Sequence, residues 1–234
     1  MSIITKPYMT AKSLHSYNPI PGGCVLYLPL WNPGCWGSTF KSIDSYGHAI
    51  SRTGGVMNGN GFTVDGDDFM TATSPLFAGT KDTTKKTICY WVYTPNSTLY
   101  GNGLSVRDAG GCNWQIYRAN NIYNLYIYDG GAGSQDANYL FVQNTWAFIA
   151  VIIDGVADEW KIYAARSTEA SLTNTYTWAS KDFGADDGGG VLNIGRDGAG
   201  GFNTSGTFRE VWMGNTRLTV PELTYYFNET KGRI

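Results

Sequence analysis

The sequence lacks any apolar run that approaches the roughly 20 residues of a membrane-spanning helix. Its first residues, MSIITKPYMTAK, have no apolar centre of the kind found in secretory signals, which predicts synthesis in a cytoplasm. Only 15% of the 234 residues are charged, the formal net charge is −2, and Lys and Arg form no runs. Binding to a phosphate backbone needs such basic clusters. We therefore expect no nucleic-acid partner and no membrane insertion.

Cysteine and histidine are also scarce, with four and two residues. The cysteines (Cys24, Cys35, Cys89 and Cys112) show no Cys-x-x-Cys spacing, so they indicate neither a zinc site nor a redox motif. In a cytoplasm we expect reduced, partly buried thiols, with a Cys24–Cys35 disulfide as the alternative. Neither histidine has a serine or cysteine at a position that suggests a nucleophile–base pair.

Aromatic residues (15%) and 30 glycines are plentiful, which favours strands and tight turns over helices. The apolar segment 146–153 is rich in β-branched and aromatic residues and ends at an Asp-Gly pair, which predicts a strand buried on both faces. Residues 160–164 alternate in hydrophobicity and predict a strand that returns beside it. About twelve strands recur along the chain. We therefore predict an all-β fold, a jelly-roll sandwich of two antiparallel sheets.

One short helix is predicted near the C-terminus. Thr219 is a suitable N-cap, Pro221 lies in the first turn, and Glu222 follows Thr219 by three residues, as in a capping box. Residues 223–227 carry an apolar stripe, and Gly232 is expected to end the helix.

Residues 1–21 contain three prolines and no sustained period, so we interpret them as an N-terminal arm before one sandwich domain over residues 22–234. Such an arm packs on its own domain or on a neighbouring subunit. The apolar residues expected to serve as an assembly arm are Ile3, Ile4, Tyr8, Met9 and Leu14.

A series of segments in fixed order resembles the laminin-G-like branch of the concanavalin A-like lectin/glucanase superfamily. The first segments are GCVLYLPLWNPG, DSYGH, VDGDDFM and ICYWVYTP. The later ones are NTWAFIAVIIDG, WKIYAA, LNIGR and GTFREVWMGNTRLTVPELTYYFNETKGR. The resemblance covers residues 22–234 and implies a sandwich of two curved antiparallel sheets, with glycan binding as the common use.

The enzymes of this superfamily hydrolyse β-glucans with two carboxylates on one strand. The chemistry needs these groups about 5 Å apart on one face, as alternate strand residues provide. Here Asp158 and Glu159 are adjacent, so they point to opposite faces, and Glu210 stands alone on its strand. We predict a protein without enzymatic activity, and a glycoside hydrolase that uses Glu210 or Asp158 is one alternative.

Related folds often hold calcium near their acidic turns, where hard oxygen ligands gather. The candidate metal ligands are Asp44, Asp65, Asp67, Asp68 and Glu210. Two departures from the family pattern weaken the prediction of a calcium site like that of related folds. The Asp65–Asp68 turn is one residue shorter, and Arg209-Glu210 replaces an acidic pair. We therefore expect no cofactor, or one structural Ca²⁺. In the alternative interpretation these aspartates only cap turn amides.

A sugar site needs exposed aromatic rings that stack on pyranose faces, beside polar groups for the hydroxyls. The strands predicted near 113–118 and 122–128 carry several tyrosines, which tolerate a half-exposed face. The candidates are Asn113, Trp114, Tyr117, Tyr123, Tyr126 and Tyr128. The same cluster also fits a subunit interface or ordinary cross-strand pairing, and the sequence leaves these alternatives open.

A lectin-like domain without a secretory segment, catalytic pair or membrane anchor fits a virion component made in a host cytoplasm. Proteins that resemble this branch occur on phage particles. We predict a structural or adhesive module on a virion surface, such as a capsid decoration, head-fibre or tail protein, that forms a homo-oligomer or binds other particle proteins. The alternative is an extracellular carbohydrate-binding lectin, calcium-dependent or not, whose partner is a cell-surface glycan.

Overall fold

The structure, a computed structural model, describes most of the predicted sandwich domain. The described residues are 23–73, 85–95, 101–108, 111–118, 124–129, 133–179, 190–196 and 204–234. The predicted arm, with its five candidate assembly residues, lies outside this part of the chain.

Within the described residues, sixteen strands form two antiparallel sheets of eight. Sheet A consists of β1 (Cys24–Pro29), β4 (Val56–Asn58), β5 (Gly61–Gly66), β7 (Lys85–Thr94), β12 (Thr145–Asp154), β13 (Glu159–Arg166), β14 (Thr173–Ala179) and β16 (Thr204–Gly214). Its strand order is β14-β13-β12-β7-β16-β5-β4, and β1 also pairs with β16. The predicted long hairpin is the β12–β13 pair at its centre, joined by eight residue pairs from Ala147–Arg166 to Asp154–Glu159.

Sheet B faces sheet A across the main core. It consists of β2 (Thr39–Lys41), β3 (Ala49–Thr53), β6 (Phe69–Thr73), β8 (Gly101–Asp108), β9 (Gly111–Arg118), β10 (Asn124–Asp129), β11 (Gly133–Leu140) and β15 (Val191–Ile194). Its strand order is β11-β10-β9-β8-β15-β6-β3-β2. The two-sheet antiparallel sandwich is therefore confirmed, with more and shorter strands than the sequence predicts.

Residues 61–70 are divided between the two sheets. β5 belongs to sheet A and β6 to sheet B, and the chain crosses between them at Gly66 to Asp68. Gly66 has a φ of +72°, a conformation that glycine adopts without steric strain. The acidic turn is thus the place where the chain passes from sheet A to sheet B.

The alternation of side chains along the strands fills two separate cores. In β7, Ile88 and Tyr90 point into the core between the sheets, whereas Cys89 and Trp91 point to the other side of sheet A. β12 is likewise buried on both faces, as predicted. A strand buried on both faces needs an apolar layer on each side of its sheet. On the second face of sheet A, the C-terminal helix provides this layer.

That helix, α1 (Val220–Lys231), has the predicted capping box, with Thr219 and Glu222 bonded reciprocally. Its residues Leu223, Tyr226 and Phe227 are buried on sheet A, and Gly232 is the C-cap. The fold therefore has three layers, in the order sheet B, sheet A and α1. Among the described residues, no helix is long and apolar enough to cross a membrane.

The thiols are not paired where the structure describes them. Cys24, Cys35 and Cys89 are free, so the alternative of a Cys24–Cys35 disulfide is wrong for this structure. Burial raises the pKa of Cys35 to about 12, which keeps its thiol protonated and unreactive at neutral pH.

Asp154, at the end of β12, ties the central hairpin to the segment before α1. Its side chain is buried, and its Oδ2 accepts a hydrogen bond of 2.6 Å from Arg217 Nη1. Burial alone raises the pKa of Asp154. Hydrogen bonds from Arg217 and the Ala157 amide, together with the charge of Lys85, outweigh burial, so the pKa lies below its ordinary value of 3.8.

A carboxylate with a lowered folded-state pKa stabilises the fold at pH values above its unfolded-state pKa, and this contribution disappears as pH falls through the folded-state pKa. We therefore predict that Asp154→Asn lowers the free energy of unfolding at pH 6 but loses less stability than the parent chain between pH 6 and pH 3. Urea denaturation of both proteins at the two pH values measures this difference. Equal losses in the two proteins would contradict it.

Candidate functional site

The outer faces of the two sheets, those turned away from the main core, differ in character. The outer face of sheet A is covered by α1, and its large side chains are in ring contact with the helix. Trp91 lies 5.6 Å from Phe227 and Phe148 lies 5.7 Å from Tyr226, measured between ring centroids. Sheet B instead turns hydrogen-bonding and aromatic side chains outward, so the candidate site lies there.

Three of the predicted tyrosines lie together on the outer face of sheet B. Leu125 and Ile127 of β10 are buried in the core, so the alternate residues Tyr126 and Tyr128 point outward. Tyr126 is directly opposite Tyr117 of β9, and their rings stack with centroids 5.7 Å apart. All three tyrosines are half-buried, which leaves part of each ring exposed.

One row of polar side chains crosses sheet B beside these rings. Strand pairing aligns one hydrogen-bonding residue from each of the eight strands in a single transverse line. In order from β11 to β2 this polar row is Ser134, Tyr128, Gln115, Ser105, Asn193, Thr71, Ser51 and Thr39. Seven of them lie next to a residue of the main core or one packed against it, so these seven point outward, and Ser134 shares their face as the cross-strand partner of Tyr128.

A cation and a further aromatic ring lie beside the centre of the polar row. The Arg196 guanidinium is 3.1 Å from the ring centroid of Phe69, and Arg196 Nε donates to Asn193 Oδ1 at 3.3 Å. Ser105 Oγ donates to the backbone oxygen of Arg196 at 3.1 Å. These bonds fix the side chains at the centre of the row before any ligand arrives.

The remaining glycan candidates do not join this surface in the described structure. Trp114 is 1% exposed and belongs to the core between the sheets, so its prediction as an exposed stacking residue is wrong. The reason is the two-residue period of a strand, which turns Trp114 inward with Ile116 and Tyr117 outward. Asn113 lies in β9, and Tyr123 lies outside the described residues.

The five predicted calcium ligands do not assemble into one site. Asp44 Oδ2 accepts from the Tyr27 amide, and its Oδ1 accepts from the Tyr46 and Gly47 amides. Asp68 Oδ2 accepts from the Asp65 amide. Nowhere in the described ranges do three carboxylate, histidine or cysteine side chains lie close enough to hold a metal ion. This arrangement matches the interpretation of the aspartates as turn caps.

Glu210, the fifth candidate, is 1% exposed beneath α1. Its Oε1 lies 2.7 Å from Arg233 Nη1 and accepts from Trp31 Nε1 at 2.9 Å. The hydroxyls of Tyr27 and Tyr226 donate to the same carboxylate, each at 3.4 Å. The Glu210 oxygens are thus occupied by protein donors and do not fit a calcium site.

The same geometry separates the two carboxylates of the hydrolase alternative. Glu210 lies in the register break of β16 opposite Trp91, whereas Asp158 lies in the β12–β13 turn beyond Lys85. The six residues from Lys85 to Trp91 correspond to roughly 20 Å along a strand. A glycosidase pair needs a separation below about 10 Å, so these two residues do not form one.

The polar row was missed at the sequence level, although a local signal existed. Its central members each lie between two apolar residues in the segments Leu-Ser-Val, Trp-Gln-Ile, Leu-Asn-Ile and Met-Thr-Ala. That pattern shows one polar residue on the outer face of each strand. The alignment of the four into one row depends on strand order, which the sequence does not contain.

Solved structures with similar folds include binding domains and glycosidases. The binding domain of botulinum neurotoxin serotype D has a TM-score of 0.64 at 12% identity, over 90% of this chain and 53% of that one. Trypanosoma rangeli sialidase in complex with 2,3-difluorosialic acid has a TM-score of 0.66 at 12% identity, over 88% of this chain and 33% of that one. The chain therefore spans about half or a third of these proteins, and identities this low show the fold alone.

A search of curated protein sequences finds no match. The family model Laminin_G_3, described as the concanavalin A-like lectin/glucanases superfamily, matches residues 61–224. That match covers more than half of the chain and includes strands of both sheets and the start of α1. The chain belongs to this laminin-G-like family of the concanavalin A-like lectin/glucanase superfamily.

Proposed function

We propose that this chain is a non-enzymatic carbohydrate-binding module that holds a glycan on the outer face of sheet B. The observation that carries the proposal is the contrast between the two outer sheet faces. One is sealed by α1 over an aromatic core, and the other carries the stacked Tyr117–Tyr126 pair beside the polar row. Aromatic rings beside fixed hydrogen-bonding groups are what a sugar, with apolar ring faces and polar rims, requires.

The positions of the acidic residues support the absence of a catalytic role in this proposal. Among the described residues, the two carboxylates of the hydrolase alternative lie too far apart, and Glu210 is enclosed by its own donors. A purified protein that binds a polysaccharide should therefore release no reducing sugar from it. Sugar release that persists in a Glu210→Gln variant would support an enzyme with another active site and contradict this part of the proposal.

Binding is tested on a glycan array, with the full chain and two sets of variants. We expect the Tyr126→Ala/Tyr128→Ala double variant to lose at least about tenfold in affinity, because two rings that each contribute about 1 kcal/mol are removed. Tyr126→Phe/Tyr128→Phe retains both rings and should bind within a few-fold of the parent chain.

The matched control is Tyr225→Ala, which removes a tyrosine that is 52% exposed on α1, away from sheet B. Thermal unfolding shows whether each variant is folded. Retained affinity in the folded double alanine variant, or equal losses in Tyr225→Ala, would contradict the assignment of the site. Binding that disappears in EDTA would show that a metal ion takes part.

We also propose that this module forms a homo-oligomer and is displayed on a larger particle, such as a virion. What supports it is the apolar character of the predicted arm over residues 1–21, which lies outside the described residues. We predict a trimer or larger species for the full chain and a monomer after removal of residues 1–20, measured by light scattering. A monomer in both cases would remove the arm as an assembly device.

A further inference from the structure

A small cavity lies between the two sheets, where β7 and β9 end. The described residues that line it include Tyr90, Val92 and Thr94 on sheet A, and Gly103 and Arg118 on sheet B. Its volume is about 20 Å³, and a cavity needs about 10–15 Å³ to hold one water molecule. The cavity therefore has room for one small ion or molecule, whereas a sugar ring is too large for it.

Arg118 brings a positive charge to the cavity wall. Trp114 and Ile116 belong to the main core, so the two-residue period of β9 turns the Arg118 side chain inward as well. Arg118 is 5% exposed, and no other residue among the described ones that line the cavity is charged. Arginine is rarely buried to this degree, because removal of a charge from water is costly unless an opposite charge compensates it. The cavity wall is thus suited to an anion.

Two hydroxyl groups of β7 face the same cavity. Tyr90 and Thr94 are 1% and 4% exposed, and both residues line the cavity. Burial raises the pKa of Tyr90, so its hydroxyl stays protonated at neutral pH and is able to donate a hydrogen bond. Val92 and Phe208 make the rest of this wall apolar. Such a wall favours a singly charged anion, since a second charge raises the cost of removal from water.

Two glycines of β8 make room for these polar groups. A Cβ on Gly103 would lie 2.8 Å from Tyr90 Oη, and a Cβ on Gly101 would lie 2.9 Å from Arg118 Nε. Both distances are too short for a carbon atom without a shift of its neighbours. The absence of side chains on β8 therefore lets Tyr90 reach across from sheet A and lets Arg118 lie over β8, so both sheets contribute donors to one cavity.

We propose that this cavity binds one small monovalent anion, of the size of chloride or bromide, between the Arg118 guanidinium and the hydroxyls of Tyr90 and Thr94. The anion compensates the buried charge and connects sheet A to sheet B. The inference is independent of the proposed carbohydrate-binding function, since the described residues that line the cavity include no member of the polar row.

The test is thermal unfolding of the full chain in sodium chloride, sodium bromide and sodium gluconate at equal pH and ionic strength. An anion that binds the folded chain alone raises the midpoint temperature, and gluconate is too large for the cavity. At about 0.2 M salt, we expect the midpoint in chloride or bromide to lie at least about 3 °C above that in gluconate.

Three variants connect this difference to the cavity. Arg118→Met removes the charge and keeps most of the length, so the difference between chloride and gluconate should fall below about 1 °C. Arg118→Lys keeps the charge and should retain part of the difference. Lys41→Met is the matched control, because it removes an exposed cation on β2 and should retain all of it.

A crystal structure of the parent chain grown in sodium bromide locates the ion by its anomalous scattering, and it needs no variant to fold. We expect a bromide peak in the cavity, within hydrogen-bonding distance of Arg118. Equal midpoints in the three salts would overturn the proposal. Bromide peaks only elsewhere on the protein would show an adventitious ion only and would also overturn it. An undiminished chloride effect in a folded Arg118→Met would contradict the role of Arg118.

Discussion

Replacement of Glu210 by alanine is expected to lower the free energy of unfolding by about 3–5 kcal/mol, because it breaks a buried ion pair from one side. The carboxylate is enclosed beneath α1 and receives donors from four parts of the chain. These are Arg233 after the helix, Tyr226 within it, Tyr27 in β1, and Trp31 in the turn that follows β1. The alanine variant would leave these donors without their shared acceptor.

The groups around Glu210 show the effect of its charge. Burial and the neighbouring carboxylate both raise the pKa of Tyr27, so its hydroxyl stays protonated and donates. The pKa of Arg233 is lowered by burial, but the opposite charge of Glu210 more than offsets this and raises it overall. The guanidinium therefore remains charged, and removal of Glu210 leaves a partly buried cation without this partner.

Urea denaturation, followed by tryptophan fluorescence, measures the loss. Glu229→Ala is the matched control, since Glu229 is exposed on the same helix and should change stability by less than about 0.5 kcal/mol. Glu210→Gln retains the shape and part of the hydrogen bonding, so it should fall between the two. A loss below about 1 kcal/mol in Glu210→Ala would show that the four donors find other acceptors and that Glu210 does not hold α1 in place.

Trp91→Ala is expected to cost a similar amount, about 3–5 kcal/mol, because it removes a fully buried tryptophan ring between sheet A and α1. The Trp91 ring lies 5.6 Å from Phe227 and 5.2 Å from Phe148 between centroids. Its Nε1 donates to Thr230 Oγ1 at 2.8 Å. Alanine would leave a cavity in the second core and remove the donor to the Thr230 hydroxyl, which keeps its own hydrogen bond to the Tyr226 carbonyl.

Trp91→Phe separates the contribution of ring packing from that of the hydrogen bond to Thr230. It keeps most of the ring contact and loses the hydrogen bond. We expect a loss of about 1–2 kcal/mol from the bond and the smaller ring together. Limited proteolysis provides a second measurement, and cleavage near residues 215–219 should accelerate in Trp91→Ala more than in Trp91→Phe. Equal stability of Trp91→Ala and the parent chain would contradict the assignment of the second core.

The elements that the sequence predicts well are those in which local chemistry and fold agree. The β12 segment is apolar without interruption because it separates two cores, and a strand of this kind needs no information from elsewhere in the chain. The capping box at Thr219 and Glu222 is likewise local, and the structure contains both of its hydrogen bonds. The fold class followed from many such segments together with the family resemblance.

The site was harder to predict because it depends on pairing between distant strands. Trp114 and Tyr117 are three residues apart, so alternation alone places them on opposite faces of β9, and grouping them into one patch overlooked that period. The polar row requires the order β9-β8-β15-β6, in which Asn193 lies between strands more than 80 residues earlier in the chain. No local pattern encodes that adjacency.

The acidic residues show a second reason why the site is hard to predict from the sequence. Carboxylates near turns predict calcium ligands and turn caps equally well, since both uses need the same oxygens. The Asp44 carboxylate caps a turn because it accepts hydrogen bonds from the backbone amides of Tyr27, Tyr46 and Gly47. The Glu210 carboxylate instead pairs with the Arg233 guanidinium. Both depend on tertiary contacts that the sequence does not contain.

In the proposed function, sugar contacts the outer face of sheet B and not the face beneath α1. The most direct measurement is the NMR spectrum of the full chain during titration with the glycan that binds best on the array. We predict that the side-chain amide signals of Gln115 and Asn193 shift on binding, while the indole signal of Trp91 stays in place. Unshifted amides together with a shifted Trp91 indole would contradict the account.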